Sequence, residues 1–70
     1  MMPLSMAKAG EVNCIKKITG KEEVRRRLAK LGFVTGEEVS VVAEIAGNLI
    51  LNVKDARIAL NREMANRIMV

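Results

Sequence analysis

Few residues in this 70-residue chain could perform chemistry, and their types argue against catalysis. There is no histidine and only one cysteine, Cys14, so a thiol nucleophile would lack an imidazole base. Ser5 and Ser40 have no histidine to activate them either. The phosphate-binding spacing G-x-x-x-x-G-K-[ST] does not occur. We therefore predict no catalytic residues and interpret the chain as a binding protein rather than an enzyme.

Carboxylates are the only plentiful metal ligands, and their spacing does not make them converge. Ferrous iron accepts imidazole, carboxylate and water, so a site in this chain would be mostly carboxylate. Glu22 and Glu23 are neighbours on a predicted helix and diverge by about 100°. Glu37 and Glu38 are neighbours near the start of a predicted strand and face opposite sides. We therefore predict no metal ligands, no cofactor and no cofactor-binding residues.

Basic side chains are the most prominent surface feature of the sequence. The formal net charge is +4, which favours acidic partners. Glu22 and Glu23 stand four residues before two of the arginines, the spacing of helical ion pairs. The alternative interpretation is therefore a solvated helix face that these glutamates partly neutralise. The candidates for partner contact, all on one predicted helix, are Arg25, Arg26, Arg27 and Lys30.

Phe33 is the only aromatic residue, and this limits the ligands that a small β protein could bind. Platforms for single-stranded DNA and RNA usually stack bases on aromatic side chains. Grooves for proline-rich peptides are also lined by aromatic residues. We therefore expect neither a nucleic-acid partner nor a proline-rich peptide.

The first half of the chain is predicted to form a strand followed by a helix. The stretch VNCIKKIT alternates so that Val12, Cys14 and Ile18 would point inward, with Cys14 as a small buried hydrophobe. The following T-G-K-E matches a capping box, in which Thr19 is the N-cap and Glu22 reaches back to its amide.

The predicted helix carries an apolar stripe of Val24, Leu28 and Leu31 and ends at a glycine. Gly32 suits the left-handed C′ position of a Schellman ending. Phe33 then occupies the next position, which contacts Leu28 in that motif. We therefore expect Phe33 to anchor the end of the helix to the core.

Two strands, EEVSVVAEIA and NLILNVKD, are predicted to form a hairpin. A three-residue loop, AGN, would place Ala43 opposite Leu51 and keep the apolar faces together. A two-residue loop, GN, would place Ala43 opposite Asn52 instead. Because a one-residue slip exchanges the two faces, we predict the three-residue loop, with Asn48 in the left-handed conformation.

The remaining segments complete a mainly β fold. ARIAL is predicted as a strand, NREMA as one short helical turn, and NRIMV as a final strand with Ile68 and Val70 inward. We predict a single domain over residues 1–70: a small barrel of about five strands, with one α-helix between the first two strands. The predicted core consists of Leu28, Leu31, Phe33, Val39, Val41, Leu51, Val53 and Ile68.

The sequence is typical of a soluble cytosolic protein. No uncharged apolar run approaches the roughly 20 residues of a membrane helix. The start, MMPLSMAKAG, lacks the basic leader and long apolar region of a secretion signal. A single cysteine excludes an intramolecular disulfide. Any association with a membrane is therefore expected to occur through a partner.

The order of these signals resembles the FeoA family. Its most specific element is L-x-x-L-G-F-V-x-G-x-x-V, from Leu28 to Val39. PLSMAKAGE, the step ITG, NVKDARIAL and REMANRIMV also match, so the resemblance covers nearly the whole chain. The chain is similar as well to the FeoA-like domain at the C-terminus of metal-dependent repressors. It departs from the family at Thr35, where proline is common, and at Asp55, where glycine is common.

The resemblance implies an SH3-like barrel and a role in bacterial ferrous iron uptake. The implied partner is a FeoB-type membrane transporter with a cytosolic GTP-binding domain, which the protein would bind and modulate. An SH3-like regulatory binding module in metal-responsive control is the alternative. A small barrel that binds nucleic acid is the third hypothesis, and the shortage of aromatic residues weighs against it.

Overall fold

The computed structural model describes residues 1–70 and is mainly β, as predicted. The two α-helices are α1 (Glu22–Lys30) and α2 (Arg62–Ala65), and a 3₁₀ turn covers Leu4–Met6. The six strands are β1 (Val12–Cys14), β2 (Lys17–Ile18), β3 (Glu38–Ile45), β4 (Asn48–Val53), β5 (Ala56–Asn61) and β6 (Ile68–Met69).

The strands form two antiparallel sheets, one of four strands in the order β1-β3-β4-β5 and one that pairs β2 with β6. The N-terminal segment extends the small sheet, because Met2 and Val70 exchange two backbone hydrogen bonds of 2.9 and 2.8 Å. The sheets do not join into a closed barrel, since β5 pairs with β4 alone. The fold is therefore an open form of the predicted barrel.

The sixth strand arises because the predicted first strand is broken. β1 pairs with β3, whereas β2 pairs with β6 in the other sheet. The expected orientation of β1 was wrong: Val12 is 62% exposed and Cys14 is exposed, whereas Ile15 is buried. In the stretch VNCI, alternation alone could point either Val12 and Cys14 or Asn13 and Ile15 inward. The observed orientation buries isoleucine instead of the smaller cysteine.

Helix α1 starts at Glu22 and has Lys21 at its N-cap, with no side-chain capping bond. The capping box predicted at Thr19 is therefore wrong. Thr19 belongs to the β2–β6 pairing instead, because its backbone N–H donates to the carbonyl of Arg67 at 2.7 Å. Its hydroxyl donates to the same carbonyl at 3.2 Å. Glu22 and Glu23 still stabilise the first turn through the helix dipole.

The C-terminal end of α1 has the predicted Schellman geometry. Gly32 has φ of 106° and donates its N–H to Ala29 O, while Phe33 donates to Leu28 O, both at 3.0 Å. Phe33 and Leu28 are completely buried. The prediction that Leu31 is core is wrong, because it is 40% exposed. The reversal at Gly32 brings Phe33 onto the core in its place.

The β3–β4 hairpin closes with two residues, Ala46 and Gly47, whose φ values are 51° and 81°. The predicted three-residue loop, with a left-handed Asn48, is therefore wrong. Ala43 lies opposite Ile50, not Leu51. An irregularity between Val41 and Ala43 absorbs one extra residue, as a β-bulge does. This bulge keeps the buried faces of both strands together despite the shorter loop.

The C-terminal segments follow the prediction. The side chain of Asn61 caps α2 by accepting a hydrogen bond from Met64 N at 2.8 Å. β6 carries Ile68 into the core, and Val70 is only 7% exposed. The buried cluster confirms seven of the predicted core residues, all except Leu31. It consists of Leu4, Ile15, Leu28, Phe33, Val39, Val41, Leu49, Leu51, Val53, Leu60, Ala65, Ile68 and Val70.

Candidate protein-interaction surface

The four predicted contact residues, Arg25, Arg26, Arg27 and Lys30, are all exposed on α1. They do not share one face. Successive helical residues are about 100° apart, so Arg25 and Arg27 flank the buried stripe on opposite sides. Lys30 lies four residues after Arg26 and three after Arg27, so it neighbours both on the solvent side of the helix. We call these three residues the basic cluster, from which Arg25 is separate.

One ion pair partly neutralises the basic cluster. Arg26 Nη2 lies 2.9 Å from Glu22 Oε1, with both side chains largely exposed. The corresponding pair between Glu23 and Arg27 is not formed. Arg27 and Lys30 therefore keep uncompensated charge in the last turn of the helix, where cations interact favourably with its dipole.

The β4–β5 turn comes close to this end of the helix. A Cβ atom built on Gly32 would lie 3.7 Å from the side chain of Val53 and 3.9 Å from Lys54 Cδ. The Lys54 stem therefore passes the residue that terminates α1. Its ammonium is 3.8 Å from Glu37 Oε1, at an exposed position where such a pair is weak. Lys54 was missed from the sequence because only the tertiary fold places this turn beside the helix.

Two apolar side chains are exposed around the same helix end. Leu31 is 40% exposed and Val34 is 39% exposed, on either side of the buried Phe33. Cations next to partly exposed aliphatic groups provide both steering charge and a small area to bury on binding. The positions of both residues can be identified from the sequence, because Leu31 directly precedes the glycine that ends the helix and Val34 directly follows Phe33.

The one cleft in the molecule lies over the outer face of the large sheet, has a volume of about 270 Å³ and is largely open. Seven residues line it: Val12, Glu37, Glu38, Val39, Ser40, Asn52 and Lys54. Glu37 faces Lys54, and the Ser40 hydroxyl forms no hydrogen bond with Glu37, Glu38 or Lys54 of the lining. No buried side-chain polar atom in the molecule is unpaired. The cleft therefore offers polar contacts without an activated nucleophile.

The other sequence candidates for chemistry do not form one site. Cys14 is exposed on β1, opposite Glu38 of β3 and two residues from the Val12↔Ser40 pair. Ser5 lies in the 3₁₀ turn and donates to Asn66 Oδ1 instead. No three His, Cys, Asp or Glu side chains come close enough together to hold a metal ion. No helix is long and apolar enough to cross a bilayer.

The FeoA domain model matches residues 2–70 of this chain. The chain belongs to the FeoA family. It is 36% identical to a protein of Methanocaldococcus jannaschii, provisionally named Fe(2+) transport protein A, over 70 residues. That alignment covers all of this chain and 85% of the relative. The sequence element from Leu28 to Val39 that suggested the family contains the Schellman ending of α1, so it marks a structural feature of this FeoA domain.

Solved structures agree with the family and with the fold. FeoA of Stenotrophomonas maltophilia in complex with zinc, described as a prokaryotic SH3 domain protein, is 31% identical, with a TM-score of 0.85. The match covers 99% of this chain and 88% of that one. A manganese-dependent transcriptional repressor shares the fold at 22% identity and a TM-score of 0.84. That match covers 94% of this chain but only 38% of the repressor chain. The predicted SH3-like fold is thereby confirmed.

Proposed function

We propose that this FeoA-family protein is an accessory binding module of bacterial ferrous iron uptake. It docks in the cytoplasm on the cytosolic part of a FeoB-type transporter and modulates transport. The observation that carries the proposal is the family match over residues 2–70, together with 36% identity to a protein named for Fe(2+) transport. A binding role suits a chain without histidine, whose serines and cysteine have no imidazole base.

The basic cluster is the proposed docking surface for an acidic face of the transporter. Exposed charges act mainly by steering encounter, so Arg27 and Lys30 would raise the association rate at low salt. Leu31 and Val34 lie beside them and would be covered when the surfaces meet. Arg25 lies on the other flank of the helix and would stay at the rim of this contact or outside it.

A second candidate function is supported by the likeness to the manganese-dependent repressor. This domain would then act as a regulatory binding module in metal-responsive control and contact a segment of a regulator. The likeness at 22% identity concerns the fold, so this candidate has less support than a match to the family over nearly the whole chain.

The proposal is tested by measuring association of the purified protein with the full-length FeoB-type transporter from the same genome, in nanodiscs. Titrations with GDP and with a non-hydrolysable GTP analogue would report on coupling to the GTPase cycle. We expect saturable binding to nanodiscs that contain the transporter and none to empty nanodiscs of the same lipid. Absence of binding in both nucleotide states would refute the proposal and favour the regulatory module.

A further inference from the structure

Strand β5 leaves a row of backbone groups unpaired at the edge of the large sheet. It pairs with β4 from Val53↔Ala56 to Asn48↔Asn61 without any irregularity. The first of these pairs closes a two-residue turn and is therefore hydrogen-bonded, and bonded pairs alternate along an antiparallel ladder. Ile58 and Leu60 thus bond to β4, whereas Arg57 and Ala59 direct their N–H and C=O groups outward. No other backbone hydrogen bond involves residues 56–60.

This edge lacks the usual devices that prevent strand addition. Natural edge strands are blunted by proline, by bulges, by several charges or by shortness. β5 has six residues, no proline, no bulge and one charged side chain, that of Arg57. By contrast, β1 at the opposite edge has only three residues. Arg57 and Ala59 are exposed and Ile58 is half-buried, so the edge is accessible along its middle.

The charge around the edge favours an acidic occupant. Lys54 and Arg62 flank the strand and already face Glu37 and Glu44 in ion pairs. Arg57 contacts only a neutral partner, because its Nε donates to Asn52 Oδ1 at 3.2 Å. Its charge is thus uncompensated, on a chain with a net charge of +4. A carboxylate on an incoming strand would be attracted to it.

A second copy of this chain fits the edge less well. Stable interfaces use roughly 20–30 residues from each side, whereas two copies of β5 would meet with six residues each. The copies would also carry +4 each and repel one another. The edge suits a short segment of a partner that is held by further contacts elsewhere.

The edge begins beside the basic cluster. The turn that precedes β5 contains Lys54, whose stem passes the C-terminal end of α1 at Gly32. A partner that covers Lys30 and Leu31 could therefore continue directly onto β5. We propose that β5 accepts an extended, acidic segment of the transporter as an added strand. This inference rests on the proposed function for the identity of the partner.

Hydrogen exchange of individual amides tests the inference directly on the intact protein. In the free protein we expect slow exchange at Ile58 and Leu60, which bond to β4, and fast exchange at Arg57 and Ala59. Addition of the nanodisc-embedded transporter should slow exchange at Arg57 and Ala59 at least tenfold. Slow exchange of these two amides in the free protein at all concentrations would overturn the inference, as would unchanged exchange in the complex.

Ala59→Pro supplies an independent test because it deletes an outward N–H group. Proline is tolerated on an edge where its missing N–H faces solvent, so the fold should persist. We expect A59P to weaken transporter binding about tenfold, whereas Ala59→Thr, which keeps the N–H, should bind as the wild type. If A59P does not fold, the exchange measurement on the wild type decides alone.

The outcomes separate this inference from the proposed function. Wild-type binding that A59P leaves unchanged would overturn the added strand and leave the accessory function in place. Absence of wild-type binding in both nucleotide states would refute the accessory function and remove the partner assigned to β5. Weaker binding of A59P, normal binding of A59T and protection of Arg57 and Ala59 together would establish strand addition.

Discussion

The backbone N–H of Phe33 donates to the carbonyl of Leu28 at 3.0 Å, and both side chains are completely buried. The hydrogen bond closes the C-terminal end of α1. The Phe33 side chain, the only aromatic one in the protein, belongs to the same buried core as Leu28 and so anchors this end of the helix. Gly32 makes it possible, because its φ of 106° turns the chain back over the last helical turn. The helix that carries the basic cluster is thereby fixed at its C-terminal end.

Replacement of Phe33 by alanine should therefore destabilise the fold strongly. Loss of a buried phenylalanine typically costs about 3–5 kcal/mol through lost burial and the cavity left behind. Urea unfolding, monitored by circular dichroism, measures this change. Val34→Ala is the matched control, because Val34 is the next residue and is 39% exposed. Equal stability of F33A and V34A would contradict the anchoring role of Phe33.

The two leucines of the predicted helical stripe should differ sharply on truncation. Leu28→Ala should cost about 2–5 kcal/mol because Leu28 is fully buried. Leu31→Ala should cost below about 1 kcal/mol because Leu31 is 40% exposed. Thermal denaturation of the two variants under the same conditions measures the difference. A loss for L31A as large as for L28A would contradict the observed reversal at Gly32.

Asn61 should contribute measurably to stability although it is exposed. Its side chain caps α2 at 2.8 Å from Met64 N, and loss of an N-cap costs about 0.5–2 kcal/mol. Asn61→Ala should therefore lower the free energy of unfolding within this range. Asn61→Ser retains a capping oxygen and should stay near the wild type. If the alanine and serine variants were equally stable, the cap would have no energetic role.

The sequence was most informative where structure is decided locally. The Schellman ending follows from a glycine after an apolar helical stripe, and the exposure of the α1 cations follows from helical periodicity. Arg25 was grouped with the other three cations in the prediction, although 100° steps along the helix already place it on the other flank. These features depend on residues within one or two helical turns, so a single sequence suffices to predict them.

Features that depend on distant partners were predicted less well. The bulge between Val41 and Ala43 is invisible locally, and without it the apolar pattern favours a three-residue hairpin loop. The break after Cys14 reflects a change of partner from β3 to β6. Lys54 joins the end of α1 only through tertiary packing against Gly32. The unpaired edge of β5 likewise depends on how far the sheet closes.

Charge reversal tests whether the transporter contacts the basic cluster and not Arg25. The double variant Arg27→Glu/Lys30→Glu should weaken transporter binding on the order of tenfold at low salt, mainly through slower association. The single variant Arg25→Glu should have a much smaller effect because Arg25 lies on the other flank. Surface plasmon resonance at several salt concentrations measures the association and dissociation rates of each variant. Arg25→Glu should melt close to the wild type because Arg25 is exposed. The double variant should lose on the order of 1 kcal/mol of stability, because it places carboxylates at the C-terminal end of α1, so binding is measured well below its melting temperature.

The salt dependence of the association rate tests whether Arg27 and Lys30 attract the partner directly. Screening shortens the range of electrostatic attraction to about 8 Å at physiological ionic strength, so steering by Arg27 and Lys30 must fade as salt rises. The wild-type association rate should therefore fall with salt, while that of the double variant should change little. Lys16→Glu/Lys17→Glu is a matched control, because these exposed lysines lie outside α1 and the change in charge is the same. Equal weakening by both double variants would mean that net charge, and not the basic cluster, controls association.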